Sequence, residues 1–225
     1  MDSQKRVSSM IINTDSVIAI LGGSGKAGRP LVQRALAAGY RVRLLLRHPQ
    51  AFEVAHERLD VFQGDARDPD SVRRLLQGST ALISTLGHTR GEASPMMATA
   101  TRNYIAVMEQ LGISRCVVVT SLFETGNEQL DEKTQQAADY MQQHYPLFMD
   151  DRRLEFRLLS ESSLAWTYVR VPLIVQQPAT GDVVVNLNHL PEQQITAIDL
   201  AQFLICQLTD QRYLRHAPFI ASKPE

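Results

Sequence analysis

The sequence predicts an α/β fold, a doubly wound parallel sheet with helices on both faces, in a single domain. Three observations predict it. Short apolar, β-branched runs alternate with segments of helical periodicity, and the links between them are short. The first apolar run, Val17–Leu21, ends in glycines spaced Gly22-x-x-Gly25-x-x-Gly28, with an apolar-periodic segment directly after them. The run Cys116–Thr120 carries three consecutive valines, the pattern of a strand buried on both faces.

Each element follows in order. Residues 1–14 are mostly polar and read as an irregular lead-in, with the domain spanning 15–225. Val17–Leu21 is the first strand, and Ala27–Ala38 is a helix stopped by Gly39. Arg41–Leu46 alternates as a second strand, and Leu59–Gln63 is a third. Asp68 followed by Pro69 is a cap signal that opens a helix over Asp70–Leu76. Ala81–Leu86 is a fourth strand. Ser94-Pro95 repeats the cap signal for a long helix that closes at Leu111 before Gly112. Cys116–Thr120 is the fifth strand. Asp131–His144 and Asp151–Ser160 read as helices, the second capped by Asp150 or Asp151. Ala165–Val171 is a sixth strand stopped by Pro172, Val183–Leu187 is another, Thr196–Leu208 is a helix, and Ala217–Ile220 supplies a last strand. These later segments form small substrate-side elements, and residues 123–144 are expected to shape the substrate side.

The glycine spacing carries chemistry. A pyrophosphate must approach backbone closely at a helix N-terminus, where unpaired N–H groups and the helix dipole favour negative charge. Gly22 permits a tight exit from the strand, Gly25 the close approach, and Gly28 tight packing of helix on sheet. The expectation is a Rossmann-type dinucleotide site. Its second half lies about 20 residues on, where a carboxylate would accept hydrogen bonds from an adenosine ribose. Here that position is Arg47, and no carboxylate occurs between Gly28 and Glu53. A guanidinium there suits a 2′-phosphate, so NADP(H) is expected over NAD(H). The alternative is that Arg47 simply ends its strand in solvent. Lys26 either adds charge beside the pyrophosphate or is solvated.

Composition narrows the partners. The formal charge is −1, so no global field favours nucleic acid or an anionic membrane surface. No run approaches the roughly 20 apolar residues that span a bilayer, and the N-terminus lacks the apolar core of a signal peptide. Cys116 and Cys206 lie in apolar segments and read as buried thiols, which suits a reducing compartment; cytoplasm is the expectation. The six histidines are scattered with no ligand-spaced pair, so no metal site is expected. Small-molecule substrates are the expected partners, with monomer and dimer both open.

Several stretches together resemble the atypical, NAD(P)H-binding branch of the short-chain dehydrogenase/reductase superfamily. Within it the chain is most similar to small flavin and biliverdin reductases and to NmrA-type redox sensors. The matching residues are Gly22-Gly-Ser-Gly-Lys-Ala-Gly28, Leu46-Arg47, Gly64-Asp65, Ser84-Thr-Leu-Gly87, Val118-Val-Thr-Ser121, and Ser162 to Pro172. The resemblance implies that Gly22, Ser24, Gly25, Lys26, Ala27 and Gly28 form the pyrophosphate loop. It implies Arg47 at the 2′-phosphate, and Asp65 and Ala66 beside the adenine. Thr85, Leu86 and Gly87 would run past the nicotinamide-side ribose. Ser121 would sit near the nicotinamide, and Pro172, Leu173 and Ile174 would close over its carboxamide edge.

The superfamily's catalytic pair is Tyr-x-x-x-Lys on a helix. This chain offers Tyr140-Met-Gln-Gln-His144, which keeps the i, i+4 spacing and replaces lysine with histidine. Tyr140 and His144 are therefore catalytic candidates beside Ser121, or they are merely a helix end ahead of Tyr145-Pro146. Some relatives carry a histidine on the helix before the sixth strand; Asp150–Leu164 has none. Arg152 or Arg153 is a candidate contact for an anionic substrate at the pocket rim, and Trp166 reads as core. The expected activity is hydride transfer from NADP(H) to a small planar or carbonyl acceptor, flavin- or quinone-like. The alternative is a non-catalytic NAD(P)-binding redox sensor of the NmrA type.

Overall fold

Alternating side chains sort the two faces of the central sheet. In β1 (Val17–Leu21), Ile18 and Ile20 join one apolar cluster while Ala19 and Leu21 join the other. In β5 (Arg115–Thr120), Val117 and Val119 face the first cluster while Cys116 and Val118 face the second. The structure is a computed structural model that describes residues 13, 15–87, 96–122, 125–126 and 129–223. The remaining strands are β2 (Arg41–Leu46), β3 (Leu59–Gln63), β4 (Ala81–Ser84), β6 (Ala165–Arg170), β7 (Leu173–Val175), β8 (Val183–Asn186), β9 (Gln194–Thr196) and β10 (Phe219–Ser222). Among the described residues, eight of the ten strands form one sheet in the order β3-β2-β1-β4-β5-β6-β10-β8. All neighbours are parallel except β10 with β8, and β7 with β9 makes a separate parallel pair. The sheet is thus mostly parallel, with an antiparallel edge.

Helices cover both faces. The apolar stripes of α1 (Gly28–Ala37) and α6 (Ala197–Cys206) bury Leu31, Val32, Leu200 and Leu204 in the first cluster. On the other face lie α2 (Pro69–Leu76), α3 (Met97–Leu111) and α5 (Pro146–Glu161), contributing Val72, Leu75, Tyr104, Met108 and Leu159. The helix α4 (Glu132–His144) packs beside α5.

The end signals work as chemistry predicts at several helices. The Asp68 carboxylate accepts from the amides of Asp70 and Ser71 at the start of α2, and Asp131 accepts from Thr134 N in α4. Gly112 closes α3 in the left-handed conformation at φ 70°. Elsewhere the boundaries move. α5 begins at Pro146 rather than at 151, because proline suits the first helical turn and Tyr145 takes the cap position. Asp150 and Asp151 therefore lie inside α5. The Asp151 carboxylate instead serves the start of α3, accepting from Met96 N, Met97 N and Ala98 N at 2.9, 2.8 and 3.0 Å. The expected Ser94-Pro95 cap lies outside the described residues. The last strand is Phe219–Ser222, two residues on from the expected start. Its register is fixed by Phe219 pairing with both Arg170 and Asn186. The short strands β7 and β9 escape sequence reading because three residues show no periodicity.

Burial separates the two thiols. Cys116 is fully buried in β5, and burial pushes its thiol up to about 12. Cys206 is exposed at the end of α6, which corrects the expectation that both are buried. It lies off the apolar stripe, with Gln202 Nε2 donating to its sulfur at 3.2 Å.

Candidate functional site

The sheet reverses its winding between β1 and β4, and there the carboxyl ends of the strands leave a crevice. Register brings the strand ends level. Leu21 stands beside Leu45 of β2 and Ser84 of β4, and Leu46 stands beside Gln63 of β3. The segments leaving all four strands therefore meet around one cleft of about 540 Å³. Its wall includes Gly22, Ser24, Gly25, Lys26 and Ala27 from the first loop, and Arg47, Asp65 and Ala66 after β2 and β3. Thr85, Leu86 and Gly87 follow β4, with Met96 and Ile174 closing the sides.

The three glycines do different things. Gly22 is left-handed at φ +78°, and a Cβ there would lie 2.6 Å from the backbone of Thr85. A Cβ on Gly28 would lie 2.1 Å from Gly22 O, so α1 can leave the loop only where no side chain intervenes. Gly25 is the exception. A Cβ there would make one ordinary contact at 3.4 Å with Gly22 O. Packing within the protein does not demand its glycine, and the residue faces the cleft. The helix behind the loop has no side-chain cap and no acidic residue in its first turn. That leaves the positive end of α1 for an outside anion.

Neighbouring groups hold this wall. Arg29 Nε donates to Ser24 O at 3.1 Å, and Thr85 donates its N–H and hydroxyl to Leu21 O at 2.9 and 3.1 Å. Gln176, just past β7, reaches across to donate to Lys26 O at 3.1 Å. Asn103 of α3 donates to Ala66 O at 3.0 Å. Arg67 binds Asp65 through both carboxylate oxygens, with a shortest contact of 2.6 Å. That hydrogen bonding holds the Asp65 carboxyl below the usual carboxylate range, against the opposing effect of burial, and Arg47 adds to it through space. Arg47 itself is exposed on the cleft wall.

A family model described as NAD(P)H-binding matches residues 22–211. The chain belongs to the NAD(P)H-binding family. A short-chain dehydrogenase/reductase from Veillonella parvula DSM 2008, solved in complex with NADP, shares its fold at a TM-score of 0.76 and 15% identity, covering 92% of this chain and 94% of that one. ChuY, an anaerobillin reductase from Escherichia coli O157:H7, superposes at a TM-score of 0.77 and 22% identity, covering 93% and 100%. A curated relative, the photosystem II assembly factor Ycf39 of Trieres chinensis, is 38% identical over 69 residues. That match takes in 30% of this chain and spans only 22% of the relative's length.

The remaining candidates of this NAD(P)H-binding protein fall in three places. Gly28 lies behind the loop, packed on Gly22 and Gly23. Pro172 and Leu173 are not among the cleft-lining residues, and Leu173 is 64% exposed; their neighbour Ile174 does line it. Ser121 follows β5 by one residue. It lies three residues past Val118, as Gly87 lies three past Ser84, and Val118 pairs with Ser84. It is not among the residues that line the cleft, and its buried hydroxyl has no hydrogen-bond partner among the described residues. Tyr140 and His144 are not brought to the cleft. Their rings stack at 3.9 Å on the outer side of α4, where Tyr140 is 54% exposed and His144 Nδ1 meets Tyr140 O at 2.8 Å.

Arg152 is not at a rim. It is buried, with its guanidinium on Glu155 and on Leu86 O, whereas Arg153 is exposed and bonds Asp150 and Gln142. A second hollow of about 560 Å³ lies beside α4 and α5, with Met149, Arg153, Phe156 and Arg157 on its wall. Among the described residues no three His, Cys, Asp or Glu side chains gather as a metal site would require, and no helix is long and apolar enough to cross a membrane. Sequence reading missed Met96, Gln176 and Glu155, and it gave Arg152 a rim contact in place of its buried hold on Leu86 O. Only Arg152 and Glu155 left a trace, the i, i+3 spacing that they share with the buried stripe of α5.

Proposed function

We propose that this chain is an NADP(H)-dependent oxidoreductase that passes hydride to a small planar or carbonyl acceptor, flavin- or quinone-like. One observation carries the reading: a cleft at the winding reversal, floored by a glycine loop whose middle glycine has no packing reason to lack a side chain. The residues present fit a dinucleotide. Ser24, Gly25, Lys26 and Ala27 bind its pyrophosphate at the uncapped start of α1, and Gly22 and Gly28 keep the loop in place. Arg47 favours the 2′-phosphate over a bare ribose, giving NADP(H) preference. Asp65 and Ala66 flank the adenine, and Thr85, Leu86 and Gly87 guide the chain of the cofactor along β4. Ile174, the one residue of the Pro172–Ile174 run that lines the cleft, shields the far end from water. The bound nicotinamide supplies the hydride chemistry. The unpartnered Ser121 hydroxyl donates to an acceptor oxygen or to a bound water that delivers the proton. A cytoplasmic site of action suits this reading.

A second reading has its own support. Tyr140 and His144 face solvent, so no acid pair of the Tyr-x-x-x-Lys kind reaches the cleft, as suits an NmrA-type sensor that binds NADP(H) without turnover. Purified protein given NADPH with free flavin, quinones or aldehydes should oxidise the cofactor above background, read at 340 nm. Tight binding of both NADP and NADPH with no turnover on any acceptor would replace the reductase reading with the sensor.

A further inference from the structure

The helix α5 supplies no residue to the cleft wall, yet two adjacent side chains on it hold two parts of that wall. Asp151 takes the three amides of Met96, Met97 and Ala98, and Met96 lines the cleft. Arg152 donates from Nη2 to the carbonyl of Leu86 at 2.8 Å, and Leu86 lines the cleft too. Leu86 and Met96 are thus both held from a single turn of α5.

The grip is itself anchored. Arg152 Nη1 meets Glu155 Oε2 at 2.6 Å, and the Tyr168 hydroxyl of β6 donates to the same oxygen at 2.6 Å. Arg152 and Glu155 are 3% and 1% exposed. Among the described residues Arg152 Nε has no hydrogen-bond partner. A buried ion pair is weak support for stability, since apolar side chains of similar volume often serve as well. A rigid planar fork does what they cannot: it fixes Glu155 on one prong and a backbone carbonyl on the other.

We propose that Asp151 and Arg152 are positioning residues that set the spacing of the Leu86 and Met96 walls, so that nucleotide affinity depends on two side chains that never touch the nucleotide. The inference rests on the NADP(H) reading and extends it to residues outside the cleft.

The test combines amide hydrogen exchange in the ligand-free full chain with NADPH and NADH titrations followed by cofactor fluorescence. Arg152→Lys keeps a charge for Glu155 but loses the fork. It should leave the melting transition cooperative, raise exchange at residues 85–87 at least fivefold, and weaken NADPH binding at least fivefold. Asp151→Asn should raise exchange at residues 96–98 and weaken NADPH likewise. Arg153→Ala, the exposed next residue, should change neither. Unchanged exchange at residues 85–87 and unchanged affinity in Arg152→Lys would overturn the proposal. So would exchange rising evenly over the whole core, the sign of a merely structural role. If Arg152→Lys does not fold, Asp151→Asn decides by the same two readings. If the wild-type chain binds neither nucleotide, the NADP(H) reading falls and with it the stated consequence, while the exchange arm still decides whether α5 holds the two walls.

Discussion

Gly25 and Gly28 stand three residues apart and should respond to alanine in opposite ways. A Cβ on Gly28 meets backbone oxygen at 2.1 Å, and neither α1 nor β1 can retreat from the packed core. Gly28→Ala should lose about 3 kcal/mol of stability in urea unfolding, as overpacking does. Gly25→Ala adds a methyl that the protein itself accommodates. It should unfold within about 0.5 kcal/mol of wild type and bind NADPH at least tenfold more weakly. Arg47 supplies the second contrast. A charge-assisted bond to a phosphate is worth about 2 kcal/mol, roughly thirtyfold in affinity. Arg47→Ala should cost NADPH that factor in a titration and leave NADH nearly untouched, whereas an equal loss for both would remove the phosphate assignment. The close packing at Gly28 and the position of Arg47 just after β2 were legible in the sequence because each is local, a loop meeting its helix and a strand end. The Arg152 contact was not legible. Adjacent Asp and Arg on a helix usually face solvent, and only the seating of α5 on α3 turns these two inward.

Elements are held to one another by a few carboxylates, and Asp199 shows how acid would loosen them. It lies in the first turn of α6 and accepts from Ser222 of β10 at 2.6 Å, from Thr180 through both N–H and hydroxyl, and from Gly181 N. Burial alone would raise its carboxyl, but these hydrogen bonds outweigh burial and hold it below its ordinary value of 3.8. On acidification the unfolded chain therefore takes up the proton first. The stability that Asp199 contributes is complete above about pH 4 and is lost as pH falls through the lower, folded value. Asp199→Asn should be less stable than wild type at pH 7 by about 1–3 kcal/mol. The gap should close below pH 3.8, as followed by urea unfolding across pH. A gap constant down to pH 2 would mean that the carboxylate charge is not what binds α6 to β10. Thr196, which the sequence placed inside α6 as its first residue, is its cap, and its side chain accepts from Asp199 N. The bonds of Asp199 to residues 180, 181 and 222 were not legible, because nothing local announces a partner 23 residues away.

For the whole molecule, the central consequence is that one packed unit carries the cleft. Both apolar clusters share the same sheet, and β1 contributes to each. Thermal unfolding should be a single transition. NADPH at about 100 times its dissociation constant should add about 2.7 kcal/mol, which for a chain of this size raises the midpoint by about 5–10 °C. A shift absent at any NADPH concentration would remove the nucleotide from this fold.

By itself the sequence determined the alternation of strands and helices, the glycine loop and the positive residue after β2, because each depends on a few consecutive residues and their period. Only the tertiary structure decided three further matters: that Tyr140 and His144 are exposed outside the cleft, that the sheet ends in an antiparallel edge, and that α5 holds both Leu86 and Met96. Those outcomes depend on which face of one element meets which face of another, and contacts between residues far apart in the chain leave no period to read.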